Sequence, residues 1–240
     1  MEEQQKNEQV TKKKDKKKRN LLVKANKKGR HINPFLSVLH AIVIPIYFLV
    51  RPFRFFGKRK LQNGPLVYVC NHLTALDPVY QVATTWESVR FISKKEVSQT
   101  PVLGWFAKGI KVIPVNRDGN DVRALLDCFK CLKNGEKIAV YAEGTRNKVS
   151  EEIQPFKHGA AMMAIKTKTP VLPMVIYHRP KFFRMTHILM GEPIELTEYY
   201  DRKLTEEEIV EADEKIRQIM IEMRNKHTEY LNRKKKGKKA

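Results

Sequence analysis

The residues best suited to chemistry are His72 and Asp77, in the run Asn71-His72-Leu73-Thr74-Ala75-Leu76-Asp77. A histidine can take a proton from a hydroxyl near neutral pH. A carboxylate on its other ring nitrogen fixes the tautomer and stabilises the imidazolium. On a continuous helix, positions five apart diverge by about 140°, so the pair can meet only across a turn. Pro78 permits one, because the residue before a proline avoids the helical region and proline suits a helix's first position. The same dipeptide leaves a second role open, with Asp77 as the cap of a helix beginning at Pro78. Residues 65–70 (PLVYVC) read as a short buried strand just before the motif. His72 therefore falls at a strand end, where folds present catalytic side chains.

Two further strand ends carry arginines. Residues 109–117 (GIKVIPVNR) end on Arg117, and the next strand ends in Glu143-Gly144-Thr145-Arg146. Two arginines at neighbouring strand ends, with a Gly-Thr turn offering N–H and hydroxyl donors, would make a phosphate site. Taken singly, each arginine reads equally as a surface or salt-bridging residue. Pro173 interrupts a strongly apolar strand at residues 171–177 (VLPMVIY). Cys128 and Cys131 spell C-x-x-C, but they lie in a helical pattern and no second pair completes a zinc site. The other histidines, His31, His40, His158, His178, His187 and His227, form no metal-ligand spacing.

The elements that must hold these residues alternate. Strands are expected at 65–70, 91–94, 111–115, 137–142, 171–177 and 188–190, and helices at 121–133 and 159–168. Thr205 and Glu208 form a capping box for a long charged helix toward Leu231. This order predicts an α/β fold with a mixed, largely parallel sheet flanked by helices and functional loops at strand ends. The expected organisation is a disordered basic tail (1–30), a membrane-associating helical segment (31–60), an α/β domain (61–204), a C-terminal helix (205–231) and a second basic tail (232–240).

Charge supports that division. The net charge is +21, but residues 1–30 carry 12 Lys/Arg against 4 Asp/Glu and residues 224–240 carry 8 against 1. Basic tails fit a polyanionic partner, either nucleic acid or an anionic membrane surface, or else a merely solvated, disordered tail. Residues 35–50 (FLSVLHAIVIPIYFLV) decide between them. The run is short of the roughly 20 residues of a straight span and contains Pro45. Arginines and phenylalanines follow it, the pattern of an interfacial or re-entrant helix. More than thirty residues precede it and no small-residue cleavage site follows, so a signal peptide is not expected. Three cysteines without such a signal point to a reducing compartment.

Taken in order, the four blocks resemble those of the glycerolipid acyltransferase family, whose best-known members are 1-acyl-glycerol-3-phosphate acyltransferases. Asn71-His72…Asp77 is similar to the first family motif, residues 109–117 to the second, Glu143-Gly144-Thr145-Arg146 to the third and Val171-Leu172-Pro173 to the fourth. The resemblance covers about residues 65–195. Asn116 stands where the family often has aspartate. The resemblance implies His72 as general base and Asp77 as its orienting partner. It places Arg117 and Glu143, Gly144, Thr145 and Arg146 at the glycerol phosphate, and Pro173 near the acyl chain or acceptor.

The implied reaction moves an acyl group from a thioester, acyl-coenzyme A or acyl carrier protein, to the free hydroxyl of lysophosphatidic acid, with no bound cofactor. The implied location is a membrane surface, with the site facing the cytoplasm. Another acceptor in the same fold, such as glycerol 3-phosphate or a different lysolipid, is the nearest alternative. A nucleic-acid-binding protein would need a base-stacking surface or a recognised binding fold, and neither is evident, so no nucleic-acid partner is expected. A non-catalytic membrane adaptor would gain nothing from a positioned base.

Overall fold

A computed structural model describes residues 33–57, 63–96, 101–116, 121–157 and 159–237. Residues 1–30 and Arg117 lie outside them. Seven strands form one sheet: β1 (Phe53–Gly57), β2 (Leu66–Cys70), β3 (Val89–Lys94), β4 (Ile113–Val115), β5 (Lys137–Tyr141), β6 (Val171–Ile176) and β7 (Thr186–Met190). Their spatial order is β1-β7-β6-β2-β5-β3-β4. All neighbours pair in parallel except β6 and β7, which are antiparallel. The expected largely parallel α/β sheet is the one observed.

The strands at the centre, β2 and β6, are buried at every position. That burial explains their unbroken apolar sequences, since helices cover a parallel sheet on both faces. One face packs against α5 (Val122–Lys133), α6 (Ala160–Thr167) and α7 (Glu206–Lys236) through Val67, Val69, Ile138 and Val175. The other packs Tyr68, Cys70, Leu172 and Met174 against Leu36, Leu39, Tyr80 and Val82 from the N-terminal helices and from α3 (Pro78–Val82). A short helix α4 (Pro101–Gly109) precedes β4. The chain leaves β2 toward α3 on one face and leaves β5 toward α6 on the other. Adjacent parallel strands whose connections diverge in this way open a crevice at their carboxyl ends, where ligands bind.

The apolar run is helical but not straight. Helix α1 (Pro34–Val38) passes through a π turn (Leu39–Val43) into α2 (Ile44–Val50). Pro45 has no N–H and would crowd the preceding turn. Widening that turn, with Ile44 N–H donating to Leu39 O, accommodates it. Leu36 and Leu39 face the core, whereas Val38, Ile42, Ile46 and Leu49 form an exposed stripe at helical spacing. No helix among the described residues is long and apolar enough to cross a membrane.

The expectation of a helical segment from 31 to 60 fails beyond Val50. Phe53–Gly57 is an edge strand paired with β7, and Phe53 stacks edge-on against Phe48, Phe55 and Tyr80. Alternating aromatics and arginines fit a strand with one buried face as well as they fit a membrane flank. The C-terminal helix also runs further than expected, to Lys236. Asp213 on that helix is buried and accepts from Ala161 N–H at 2.9 Å, capping α6 from outside the local sequence.

Candidate active site

The turn required between His72 and Asp77 is present. His72 Nδ1 and Asp77 Oδ2 are 2.8 Å apart. The same Oδ2 accepts from Leu73 N–H at 2.7 Å and Thr74 N–H at 2.8 Å, while Oδ1 accepts from the Thr74 hydroxyl at 2.6 Å. Asp77 is fully buried. A carboxylate surrounded by N–H donors can only accept, so Nδ1 carries the imidazole proton and Nε2 presents its lone pair. Asp77 does occupy the position before α3, but its side chain makes no capping bond there. Its carboxylate is committed to the His72 loop instead.

The imidazole is held on its flat side too. His72 stacks on Tyr141 with ring centroids 4.0 Å apart, and the Tyr141 hydroxyl donates to Gln81 Oε1 at 3.1 Å. The buried Asn71 fixes the start of the loop by donating to Ile176 O at 3.0 Å and accepting from Ile176 N–H at 2.8 Å. It extends the end of β6 as a further strand residue would.

The Glu143–Arg146 turn stands beside this loop because β5 pairs with β2 in register, Tyr141 opposite Cys70. Asn147 N–H donates to His72 O at 2.8 Å. Gly144 has φ +69°, and the Lys157 stem crosses it so closely that a Cβ would meet Lys157 Cδ at 2.6 Å. The positive φ favours glycine there, and any Cβ would have to push the Lys157 stem aside. Thr145 and Arg146 are exposed and line a cleft with His72. Glu143 points under the turn, 3% exposed, with Oε1 accepting weakly from Gln154 N–H at 3.4 Å and Oε2 without a hydrogen-bond partner. Burial pushes its carboxyl up to about 7.

The cleft has a volume of about 1020 Å³, at the upper end of the roughly 300–1,000 Å³ usual for small-molecule sites. Its polar end holds His72, Thr145, Arg146, Lys148 and Lys157. From there it continues between the π turn, α4, α5 and α6 over Leu39, Ile44, Ile110, Leu125 and Met163, with Lys94 and Asp121 also on its wall. A ligand with an anionic head and a long apolar part matches both ends. No group of three or more His, Cys, Asp or Glu among the described residues could hold a metal ion. Cys70, Cys128 and Cys131 are free and buried.

Pro173 is not in the cleft. It sits in β6 opposite Val69, and its ring closely approaches Gly191, just past the end of β7. Asn116 does line the cleft, and its N–H donates to Asp121 Oδ2 at 2.9 Å. Sequence reasoning missed three residues. Lys148 and Lys157 add cations at the polar end. Arg179 donates to Leu73 O at 2.7 Å, Asn147 O at 2.8 Å and Ser150 O at 3.4 Å, latching the His72 loop to the loop after Arg146. Its own N–H is held by Glu151 Oε1 at 2.6 Å.

The chain matches the family described as Acyltransferase over residues 52–177, just over half of its length. It belongs to this acyltransferase family. Chloroplast proteins named 1-acyl-sn-glycerol-3-phosphate acyltransferase from Brassica napus and Arabidopsis thaliana are 39% and 30% identical over 118 and 155 residues. Those stretches cover 48% and 60% of this chain, but only 33% and 42% of the plant proteins. A protein of the same name from Bacillus subtilis is 28% identical over 171 residues, 68% of this chain and 83% of its own. The crystal structure of the lysophosphatidic acid acyltransferase PlsC from Thermotoga maritima has the same fold, with a TM-score of 0.59 at 23% identity over 78% of each chain.

Proposed function

We propose that this acyltransferase moves an acyl group from a thioester to the sn-2 hydroxyl of 1-acyl-glycerol-3-phosphate, forming phosphatidic acid. The observation that carries the reading is His72 Nε2, free of its Asp77-bound partner nitrogen, facing a cleft cationic at one end and apolar at the other. His72 Nε2 takes the hydroxyl proton as the oxygen attacks the thioester carbonyl. The tetrahedral intermediate collapses, the C–S bond breaks, and the departing thiolate takes the proton back from the imidazolium. Asp77 stays ionised and stabilises the imidazolium between the two transfers. No acyl-enzyme forms, because no serine or cysteine takes part.

Arg146, with Lys148 and Lys157, is assigned to the acceptor phosphate, and Arg117 is proposed to join them. Glu143 and Gly144 shape the turn that presents Thr145 and Arg146. The apolar arm of the cleft is assigned to acyl chains. Acceptor and product are bilayer lipids, so the exposed stripe on α1 and α2 is proposed to associate with the membrane, with the site on its cytoplasmic side. The donor is acyl-coenzyme A or acyl carrier protein. The test supplies the purified chain with lysophosphatidic acid or glycerol 3-phosphate and with each donor in turn. Phosphatidic acid formation supports the reading; acylation of glycerol 3-phosphate in preference would replace it.

A further inference from the structure

The loop between β6 and β7 has no role in the proposed chemistry except through Arg179, yet its composition is unusual. Residues 181–185 read Lys-Phe-Phe-Arg-Met and all five are exposed. Phe182 and Phe183 keep 61% and 77% of their surface in solvent. No acidic residue occurs from Tyr177 to Met190. Adjacent exposed aromatics between cations match an anionic bilayer boundary, where rings enter the acyl border and cations meet phosphates.

The placement of the loop is built rather than accidental. Phe183 takes φ +53°, an unfavourable conformation for a bulky side chain. It is held there by its N–H donating to Val50 O at 2.9 Å. The Arg51 guanidinium lies 4.4 Å from the centre of the Phe182 ring, and Thr186 N–H donates to Pro52 O at 2.8 Å. The loop is thus fastened to the end of α2, next to Leu49, the last residue of the exposed apolar stripe. Because β6 runs parallel to β2, the loop leaves the sheet at the same end as His72. Arg179, three residues before Phe182, ties it to Leu73 O and Asn147 O.

We propose that Phe182 and Phe183 insert into the surface of an anionic bilayer, with Lys181, Arg184 and Arg51 on its phosphates. They form a second contact beside α1 and α2 that turns the His72 end of the sheet toward the lipid. The proposal deepens the lipid-acceptor reading, which supplies the reason for a bilayer, but the contact can be measured without any acyl transfer.

The three native cysteines are buried, so a new surface cysteine can be labelled selectively. Full-length Phe182→Cys carrying a polarity-sensitive fluorophore is mixed with phosphatidylglycerol vesicles. Val210→Cys on α7, on the opposite face of the sheet, serves as the control. The expected result is a blue-shifted emission at 182, quenched by bromine-labelled acyl chains, and an aqueous emission at 210. Phe182→Ser combined with Phe183→Ser should lower partitioning into these vesicles by roughly tenfold, as the loss of two interfacial rings implies. An aqueous signal at 182 in protein that floats with the vesicles would overturn the proposal. So would unchanged partitioning of the folded double variant, or failure of the full chain to bind vesicles. A blue shift at 182 in a chain that makes no phosphatidic acid would leave the contact standing and remove the activity, so the two failures are distinct.

Discussion

Replacing Asp77 with asparagine isolates what its charge does, because the surrounding donors dictate how the amide must sit. The position now held by Oδ2 faces three N–H groups, from His72, Leu73 and Thr74. Placing the new NH2 there would set donor against three donors, so the amide oxygen takes that position. The NH2 then faces the Thr74 hydroxyl, which can reverse and accept. His72 keeps its proton on Nδ1, and only the charge is lost.

Two unit charges about 4 Å apart attract by about 4 kcal/mol at an effective dielectric constant of 20. The His72 side chain is 18% exposed, so part of this is screened. The expected fall in kcat is therefore roughly 10²- to 10³-fold, less than the roughly 10⁴ seen when a triad histidine is left in the wrong tautomer. Weakening the four hydrogen bonds from charged to neutral should also cost about 1–3 kcal/mol of stability. The assay is thiol release at saturating lysophosphatidic acid and thioester, with denaturant unfolding alongside. A loss below tenfold would show that the carboxylate charge does not act through His72. A loss equal to deleting the imidazole would show that the amide has flipped.

Arg146→Lys should raise the KM for lysophosphatidic acid while leaving the thioester KM little changed, since an ammonium cannot grip a phosphate in the bidentate manner of a guanidinium. Equal changes in both would move Arg146 away from the acceptor. Arg179→Ala should lower kcat more than KM, and added guanidinium should restore part of it; a thermal destabilisation without that rescue would make Arg179 purely structural. Glu143 has a folded pKa near 7, above its ordinary value, so ionising it costs stability as pH rises from about 4.5 through 7. Glu143→Gln should flatten that decline and be the more stable form at pH 8 by up to about 3 kcal/mol, read from denaturant melts at pH 5 and pH 8. His227 is the opposite case: burial holds it down at about 4. The contribution of His227 is therefore lost as pH falls from about 6.5 to 4, and the stability of His227→Phe relative to wild type should rise between pH 6.5 and pH 4 in denaturant melts extended to pH 4.

The sheet was readable wherever the signal is local. β2 and β6 are unbroken apolar runs because both faces are covered, and α5 repeats its apolar residues at three and four. The Thr205–Glu208 capping box forms as its spacing indicates. β1 was not readable, since it exists only through pairing with β7 more than 130 residues later. Helix α4 carries no clear apolar period and was missed altogether. At the site, the His72–Asp77 contact was legible because both partners lie in one loop. The Arg179 latch was not, because its three acceptors are backbone carbonyls of other loops and no residue type marks a carbonyl. Lys157 was hidden for a similar reason: its link to Gly144 is a close approach across the fold. Pro173 belongs to a recognisable block but lies within β6, where its ring packs against Gly191 rather than lining the cleft.

The central claim is that His72 Nε2 carries the acceptor proton. Its most direct test is single-turnover acyl transfer to lysophosphatidic acid by His72→Ala, in protein whose circular dichroism and vesicle binding match wild type. The account predicts turnover at background level with substrate binding retained; near-normal phosphatidic acid formation by that folded variant would contradict it.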